Sequence, residues 1–404
     1  MDNLTRPVLY GMPASLYTSK VRSYLRKQRI AFEERPPGHP DFNKYIVPKV
    51  GRWIIPVLQL PDGTVLQDGS MIIDYFEALR TTAATAPDDR SLGSVLPTVP
   101  LGPSAVPANP LLAALAHLFE LFGGEGLLRS AMHYRWNFDA ENLDFLRQEF
   151  SSNLAPGAGR TQQDESFAFA SSRMRAATEA FGVNSRTIPA VEAATEEFLR
   201  LFDQHLAATP YLLGYQPSHG DYGLLGPIHA HLARDPHPGS LIKRIAPRVW
   251  RWVERMNAPD ADAGEYPATV NESIEPEALT ELLQFIAQDY LPEIQAHVTY
   301  ANTWLSERLD LPAGTSGLKK PSVRTIGVAS ITWRGLTMDV IIMPYRLLLL
   351  QRFQDAAKRL DAHDASRLQS LLQATGLQAL LELQCRRRVL HQDFQEVWGS
   401  DNTQ

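Results

Sequence analysis

The chain has 404 residues, a formal net charge of −6, and a composition that is 44% hydrophobic and 21% charged. That length suggests two or three domains, and the composition is that of an ordinary globular protein. The single cysteine, Cys385, excludes an internal disulfide and a cysteine-rich zinc site. The negative net charge gives no general attraction to nucleic acid or to anionic lipid.

The N-terminal residues MDNLTRPVLYG lack the basic start and the apolar stretch of a secretory signal. The most apolar window, 338–350, is interrupted by Asp339, Pro344 and Arg346. It is also shorter than the roughly 20 apolar residues that span a bilayer. We therefore expect a cytoplasmic protein with no membrane span.

Residues 1–82 alternate between strand and helix patterns. The predicted elements are a strand at 7–11, a helix capped by Thr18 or Ser19, a strand at 30–35, a hairpin of 53–60 with 64–67, and a helix at 70–80. The turn Pro61-Asp62-Gly63 has the chemistry that such a hairpin needs. The order βαβ, connection, ββα predicts an α/β domain.

Residues 83–109 are rich in Ala, Thr, Pro, Ser and Gly, which predicts a linker. From 110 to 258 the apolar residues recur at helical spacing, and Pro247 is expected to divide one segment into two helices. Within this all-helical domain, the polar residues 151–172 are interpreted as a long loop.

Residues 259–404 form an extension of mixed character. Helices are predicted at 277–303 and 364–390. Between them, alternation within 326–345 predicts a β-hairpin that turns at Arg334-Gly335.

The first motif is LYGMPASLYTSKVRSYL, residues 9–25, in which Ser15 stands seven residues before Arg22. This strand, loop and helix resemble the opening of serine-type glutathione S-transferases. The resemblance extends over about 7–256 and implies a thioredoxin-like glutathione-binding domain in 1–82. It also implies that 110–258 form the all-α C-terminal domain of that family.

In such enzymes a hydroxyl donates a hydrogen bond to the sulfur of glutathione, whose free thiol pKa is about 8.5. A charge-assisted hydrogen bond is worth about 1.5–3 kcal/mol, which lowers that pKa by roughly one to two units. The resemblance assigns this catalytic role to Ser15. Tyr10 and Tyr17 are alternative hydroxyls, and Ser15 as a simple loop or cap residue is the structural alternative.

The second motif is Ile54-Ile55-Pro56-Val57-Leu58. Thioredoxin-like folds carry a cis-proline at this point, so the resemblance implies that Pro56 exposes the backbone of Ile55 to the cysteinyl part of glutathione. An ordinary proline at the beginning of a strand is the alternative.

The third motif, Leu66 to Tyr75, resembles the acid-plus-serine pair that opens the last helix of the glutathione-binding domain. By spacing, Asp68 matches the acid, which would bind the γ-glutamyl ammonium, while Gly69 replaces the serine. A helix N-terminus supplies N–H groups to a carboxylate, and Ser70 is the nearby hydroxyl that could compensate. Asp68 as a plain helix N-cap is the alternative.

Ser218 and Asp221 have the spacing of a capping box, which we interpret as structural. No metal site is predicted, because His229 and His231 lie two residues apart and would point about 200° apart on a helix. His237 adds no ligand pattern to them.

The resemblance implies an enzyme, a cytoplasmic homodimer, that activates glutathione as a thiolate for attack on a small hydrophobic electrophile. Conjugation in detoxification, or a related lyase, dehalogenase, isomerase or peroxidase reaction, would use the same site. The alternative is a non-catalytic binding or assembly module with the transferase fold, which the missing serine at Gly69 and the long extension favour.

Overall fold

The computed structural model describes residues 4–85, 101–267 and 273–401. Part of the predicted linker, residues 86–100, therefore lies outside the described residues.

The N-terminal part forms a four-stranded sheet with the order β2-β1-β3-β4, in which β1 runs parallel to β2 and antiparallel to β3. Its elements are β1 (Val8–Tyr10), α1 (Leu16–Lys27), β2 (Glu33–Arg35), α2 (Val47–Val50), β3 (Val57–Gln59), β4 (Val65–Gln67) and α3 (Gly69–Thr85). This thioredoxin-like arrangement confirms the predicted fold class of the domain. The prediction of the first cap was wrong, because α1 begins at Leu16 and Ser15 is its N-cap.

Alternate residues of the short strands face opposite sides of the sheet. Leu9 and Leu58 point into the main core with residues of α1 and α3. Val8, Tyr10 and Val57 point to the other side, where Phe42, Ile46 and Val50 of the segment around α2 cover them. Both faces of the sheet are buried, so only the strand ends are open to a ligand.

The following region is helical, as predicted. Its helices are α4 (Pro110–Leu121), α5 (Leu128–Trp136), α6 (Asp139–Leu154), α7 (Arg160–Ala180), α8 (Ile188–His205), α9 (His219–Pro227), α10 (Pro236–Ile245) and α11 (Pro247–Asn257). Pro247 begins α11 and so divides two helices, as expected.

The loop predicted at 151–172 was wrong. These residues belong to α6 and α7, which pack against each other as a helical hairpin. In α7 the buried residues are only Phe167, Ser171 and Thr178. A helix that buries so narrow a stripe needs few apolar residues, and its composition therefore looks like that of a loop.

Helices α4 and α5 form one apolar stretch, Pro110–Trp136, which is 27 residues long and could cross a membrane by length and composition. In the fold, 83% of its most apolar 18-residue window is buried inside the protein. The core helix of a globular domain meets the same criterion of length and composition.

Over 273–401 the extension has four α-helices of two turns or more, one short α-helix, a 3₁₀-helix at Pro276–Leu279 and two hairpins. They are α12 (Thr280–Asp289), α13 (Leu291–Ser306), β5 (Gly327–Trp333), β6 (Leu336–Ile342), α14 (Pro344–Lys358), α15 (Ala362–Thr375), α16 (Ala379–Glu382), β7 (Arg387–Gln392) and β8 (Gln395–Asp401). The predicted hairpin is confirmed, and Arg334 and Gly335 both have positive φ, as a tight two-residue turn requires. Helix α14 lies against α4 and joins the extension to the helical region.

The helix predicted over 364–390 was wrong beyond Thr375, where Gly376 ends α15, and only the short α16 is helical between there and Arg387. Residues from Arg387 onwards form β7, which pairs with β8 around a turn at Asp393-Phe394. Arginine, leucine and glutamine in this segment are common in helices, so local sequence favoured a helix. The strand forms because Val389 and its partner Trp398 are buried in the main core.

The capping box at the start of α9 is confirmed and is more extensive than its sequence suggests. Asp221 is fully buried and accepts hydrogen bonds from the backbone N–H of Leu212 and of Ser218, both at 2.9 Å. It also accepts bonds from the Ser218 hydroxyl at 2.8 Å and from Trp252 Nε1 at 3.1 Å. One carboxylate therefore joins α9, α11 and the chain before α9.

We expect Asp221→Ala to lower the free energy of unfolding by about 3–5 kcal/mol, because it leaves several buried donors without an acceptor. Asp361→Ala is the matched control, since Asp361 caps exposed α15 through one bond to the Asp364 N–H and should cost about 1 kcal/mol. Urea unfolding followed by circular dichroism measures both. Equal losses in the two variants would contradict this account.

Candidate functional site

The N-termini of α1 and α3 lie side by side at the strand ends. A Cβ placed on Gly69, the first residue of α3, would lie 3.7 Å from the Tyr17 carbonyl oxygen and 3.5 Å from Val21 Cγ2. The first turn of α3 therefore packs on the first turns of α1. Helix N-termini carry unpaired N–H groups and partial positive charge, so the geometry favours a negatively charged ligand at this junction.

Ser15 occupies the start of α1 and is half-buried. Its Oγ accepts the backbone N–H of Thr18 at 3.3 Å, and its own N–H donates to the Met12 carbonyl at 3.1 Å. Among the described residues, none accepts a hydrogen bond from the Ser15 hydroxyl. The residue is thus a helix cap, and it also keeps an O–H group available for a ligand.

Tyr17 is placed differently, because its hydroxyl donates a 2.9 Å hydrogen bond to Glu125 Oε1. Burial, together with the Glu125 carboxylate, raises the pKa of Tyr17 well above its usual value. The Tyr17 proton is therefore held by a carboxylate of the protein itself.

Tyr10 lies in the core on the α2 side of the sheet, where its ring contacts Phe42. Its hydroxyl donates to Gln59 Oε1 at 3.4 Å, and burial raises the pKa of Tyr10 above its usual value. The structure does not bring Tyr10 to the junction of the two helices.

The Ile55–Pro56 peptide bond is cis, as the thioredoxin-like resemblance implied. Pro56 is buried just before β3, whereas Ile55 is half-buried and packs against the apolar cluster that contains Met12 and Ala14. This cluster includes the loop that carries Ser15. Within the described part of the chain, the Ile55 peptide N–H and carbonyl have no hydrogen-bond partner.

Asp68 caps α3. It adopts a positive φ of 79°, and its Oδ1 accepts the N–H of Ser70 at 2.9 Å and that of Met71 at 3.4 Å. The alternative interpretation of Asp68, a helix N-cap, therefore describes its position. Its carboxylate occupies N–H groups that a ligand carboxylate would otherwise use.

Ser70 does not replace the hydroxyl that is missing at position 69. Its side chain is fully buried, where it accepts a hydrogen bond from Lys20 Nζ and donates one to Glu120 Oε1, both at 2.8 Å. Gly69 itself has an ordinary φ, and the nearest atom to an added Cβ would be Lys20 Cδ at 3.4 Å. A serine at position 69 would therefore fit.

Residues of the extension cover the N-terminus of α3. The sequence analysis did not predict that these residues belong to the site. Tyr345, in the first turn of α14, places its hydroxyl 3.5 Å from Ser70 Oγ. The Arg324 guanidinium lies over the Tyr345 ring, 5.4 Å from its centroid, and donates to Glu396 of β8 at 2.9 Å. We call Arg324, Tyr345 and Glu396 the extension wall.

The β7–β8 hairpin seals the neighbouring strand end. Arg52 Nη2 donates to the Phe394 carbonyl at 2.7 Å, and His391 Nε2 lies 3.3 Å from the side chain of Gln67 in β4. These partners are separated by more than 300 residues along the chain, and no local pattern indicates them. The γ-glutamyl end of the predicted site is thus enclosed.

The cysteinyl end borders an apolar cluster that the fold itself buries. Met132, Trp136, Phe150 and Phe167 of the helical region form this cluster with Met12 and Ala14, and half-buried Ile55 packs against it. The cluster therefore fixes the loop that carries Ser15 against the helical region.

The three histidines weighed for a metal site do not converge on one point. His229 Nδ1 lies 2.5 Å from Ser19 Oγ, His231 contacts Arg135 and the Ala131 carbonyl, and the His237 ring stacks on Phe138.

Among solved structures, the chain is similar to the β-etherase LigF from Sphingobium sp. strain SYK-6. The two share 18% identity with a TM-score of 0.40, over 65% of this chain and 98% of that chain. It is also similar to rice GST1 (OsGSTU1) in complex with glutathione, with 15% identity and a TM-score of 0.35, over 65% of this chain and 92% of that chain. No curated protein sequence matches the chain.

Two family models match the chain, and they cover separate parts of it. The glutathione S-transferase N-terminal domain matches residues 9–83, and the glutathione S-transferase C-terminal domain matches residues 184–255. The chain thus contains two separate regions that are similar to the two domains of glutathione S-transferases.

Proposed function

We propose that the chain is a glutathione-dependent enzyme in which Ser15 stabilises the glutathione thiolate for attack on a small hydrophobic electrophile. The proposal rests on the hydrogen bonds of the three candidate hydroxyls. Tyr10 and Tyr17 donate to Gln59 and Glu125, whereas no described residue accepts the proton of Ser15.

The physical argument concerns the thiol pKa. A free thiol with a pKa near 8.5 is mostly protonated at neutral pH, and a hydrogen bond from Ser15 worth about 1.5–3 kcal/mol lowers that pKa by roughly one to two units, which increases the thiolate fraction at pH 7 about 10-fold. The N-terminus of α1 contributes partial positive charge in the same direction.

Glutathione would bind in an extended form between the two helix N-termini. Its cysteinyl backbone would pair with the open peptide group of Ile55, and its γ-glutamyl carboxylate would meet the Gly69 N–H. Because Asp68 and Ser70 already serve the protein's own hydrogen bonds, the γ-glutamyl group would find few free polar partners there.

A non-catalytic binding module is the second candidate, and the closure of the α3 N-terminus favours it. Ser70 is fully buried, and Lys20, Glu120 and Tyr345 surround its hydroxyl. In this case the transferase fold would serve as a scaffold for the extension.

Ser15→Ala should reduce glutathione conjugation to an aryl halide about 10- to 100-fold at pH 7, because the bound thiol loses its donor. The pKa read from the pH dependence of kcat reports the bound thiol and should rise by about one to two units. Steady-state kinetics of wild type and variant between pH 5 and pH 9 measure both quantities.

Tyr17→Phe is the control for that experiment, since the Tyr17 hydroxyl donates to Glu125 and should leave the kinetic pKa in place. A shift of the kinetic pKa in Tyr17→Phe but not in Ser15→Ala would transfer the role to Tyr17. Wild-type protein that binds glutathione without turning over any electrophile would support the binding module.

Gly69→Ser should tighten glutathione binding roughly 2- to 10-fold, because it adds one hydrogen-bond donor at the α3 N-terminus. Calorimetric titration with reduced glutathione at pH 7 gives both dissociation constants. Gly264→Ser, at an exposed position with open space around it, is the matched control and should bind like wild type. If neither wild type nor Gly69→Ser binds at millimolar glutathione, the extension has closed the site and the enzyme proposal fails.

A further inference from the structure

A second polar cluster lies where α3, α4, α9 and α14 meet, and the proposed glutathione chemistry does not use it. His117 and Glu120 are one turn apart on α4, and His219 is the first residue of α9. One nitrogen of each histidine and one oxygen of Glu120 all lie within 4.8 Å of one another.

The carboxylate of Glu120 lies between the two imidazoles. His117 Nδ1 is 3.1 Å from Glu120 Oε2, and His219 Nδ1 is 3.8 Å from the other oxygen, Oε1. Two ligands of a tetrahedral zinc ion, each about 2.0–2.2 Å from the metal, lie about 3.3–3.6 Å apart. Rotation of the carboxylate and of the imidazoles would therefore turn one oxygen and one nitrogen of each histidine towards a common ion.

His219 provides an independent observation. Its side chain is only 2% exposed, and its Nδ1 is buried with no hydrogen-bond partner among the described residues. A buried polar atom without a partner costs about 1–3 kcal/mol, so this nitrogen needs an explanation. Its other nitrogen, Nε2, lies 3.9 Å from Asp74 Oδ1, the place of the carboxylate that commonly orients a metal-bound histidine.

The cluster is reachable from solvent. A cavity of about 570 Å³ is lined by His117, His219, Asp74 and Arg352, among others. The His117 side chain is 18% exposed at its mouth. An ion can therefore enter without unfolding of the surrounding helices.

We propose that His117, Glu120 and His219 form a binding site for a transition-metal ion of the zinc type. Two imidazoles and one carboxylate suit zinc, cobalt or nickel rather than magnesium or calcium, which prefer oxygen ligands. Three protein ligands leave a fourth position open to water from the cavity.

Arg352 competes with a metal ion for Glu120 and so should lower the metal affinity of this site. Its Nε donates to Glu120 Oε2 at 3.2 Å, and its Nη2 donates to Asp74 at 2.9 Å. Lys20 also pairs with Glu120, at 2.6 Å. An entering cation must displace the Arg352 Nε from Glu120, while Arg352 can keep its bonds to Asp74. Metal binding and the docking of α14 therefore oppose each other at Glu120.

The test uses the full-length protein, freed of metal with a chelator and titrated with Zn²⁺ against a chromophoric competitor. We expect one bound equivalent, lost or weakened at least ~10-fold in His219→Ala and in His117→Ala. His363→Ala removes an exposed histidine of α15 and should leave the affinity unchanged. Co²⁺ in place of Zn²⁺ should give visible absorption bands that both histidine variants lose.

Arg352→Met should have the opposite effect on the affinity for Zn²⁺. It removes the cation that competes for Glu120, so Zn²⁺ should bind more tightly than in wild type. A merely structural cluster would not give opposite responses to the histidine and arginine substitutions. If circular dichroism shows that His219→Ala does not fold, the Zn²⁺ affinity of His117→Ala, which changes a more exposed residue, decides the test. No bound equivalent in wild type, or binding that survives in both histidine variants, overturns the proposal.

Discussion

The carboxylate of Glu120 is the interaction on which the three parts of the fold depend. It is 1% exposed, and a buried charge costs several kcal/mol unless it is well paired. Lys20 of α1, Ser70 of α3 and Arg352 of α14 each bind it. Although burial alone would raise the pKa of Glu120, Arg352 and Lys20 hold it well below its usual value. A shift of the sheet domain or the extension would leave this charge unpaired.

A second buried network joins the same parts between the segment that follows α4 and the first turn of α14, and it engages one of the candidate hydroxyls. Arg346 is buried between Glu125 and Glu293, and Arg129 pairs with Glu293 at 2.7 Å. Tyr17 supplies a further donor to Glu125. Because Glu125 also pairs with Arg346 of the extension, the Tyr17 hydroxyl has a structural role. The neighbouring Ser15, which makes no such contact, keeps its proton for a ligand.

Features that are set by a few neighbouring residues could be predicted from the sequence. The Arg334-Gly335 turn and the Ser218–Asp221 capping box are of this kind. Both depend on backbone geometry within four residues, so a short motif contains the information that they need. The cis bond before Pro56, in contrast, was expected from the family resemblance.

The errors have a different physical origin. The helices over 151–172 bury only a narrow stripe, and β7 becomes a strand because Trp398 gives it a buried partner. The Ser70 hydroxyl is buried by contacts with Glu120 and Tyr345, which are 50 and 275 residues away in the sequence. Pairings at such separations are selected by the packed fold as a whole, and the local sequence around Ser70 contains no sign of them.

The two ends of the candidate site consequently differ in what a ligand must displace. Near Ser15 and Ile55 a ligand meets a hydroxyl proton and a peptide group that have no hydrogen-bond partner among the described residues. Near Gly69 it meets hydrogen bonds that the protein already makes, and each bond gained there is offset by one that is lost. Binding free energy should therefore come mainly from the thiol end. If glutathione binds as proposed, the extension would weaken recognition of its γ-glutamyl group, because Tyr345 and the β7–β8 hairpin already cover the N-terminus of α3.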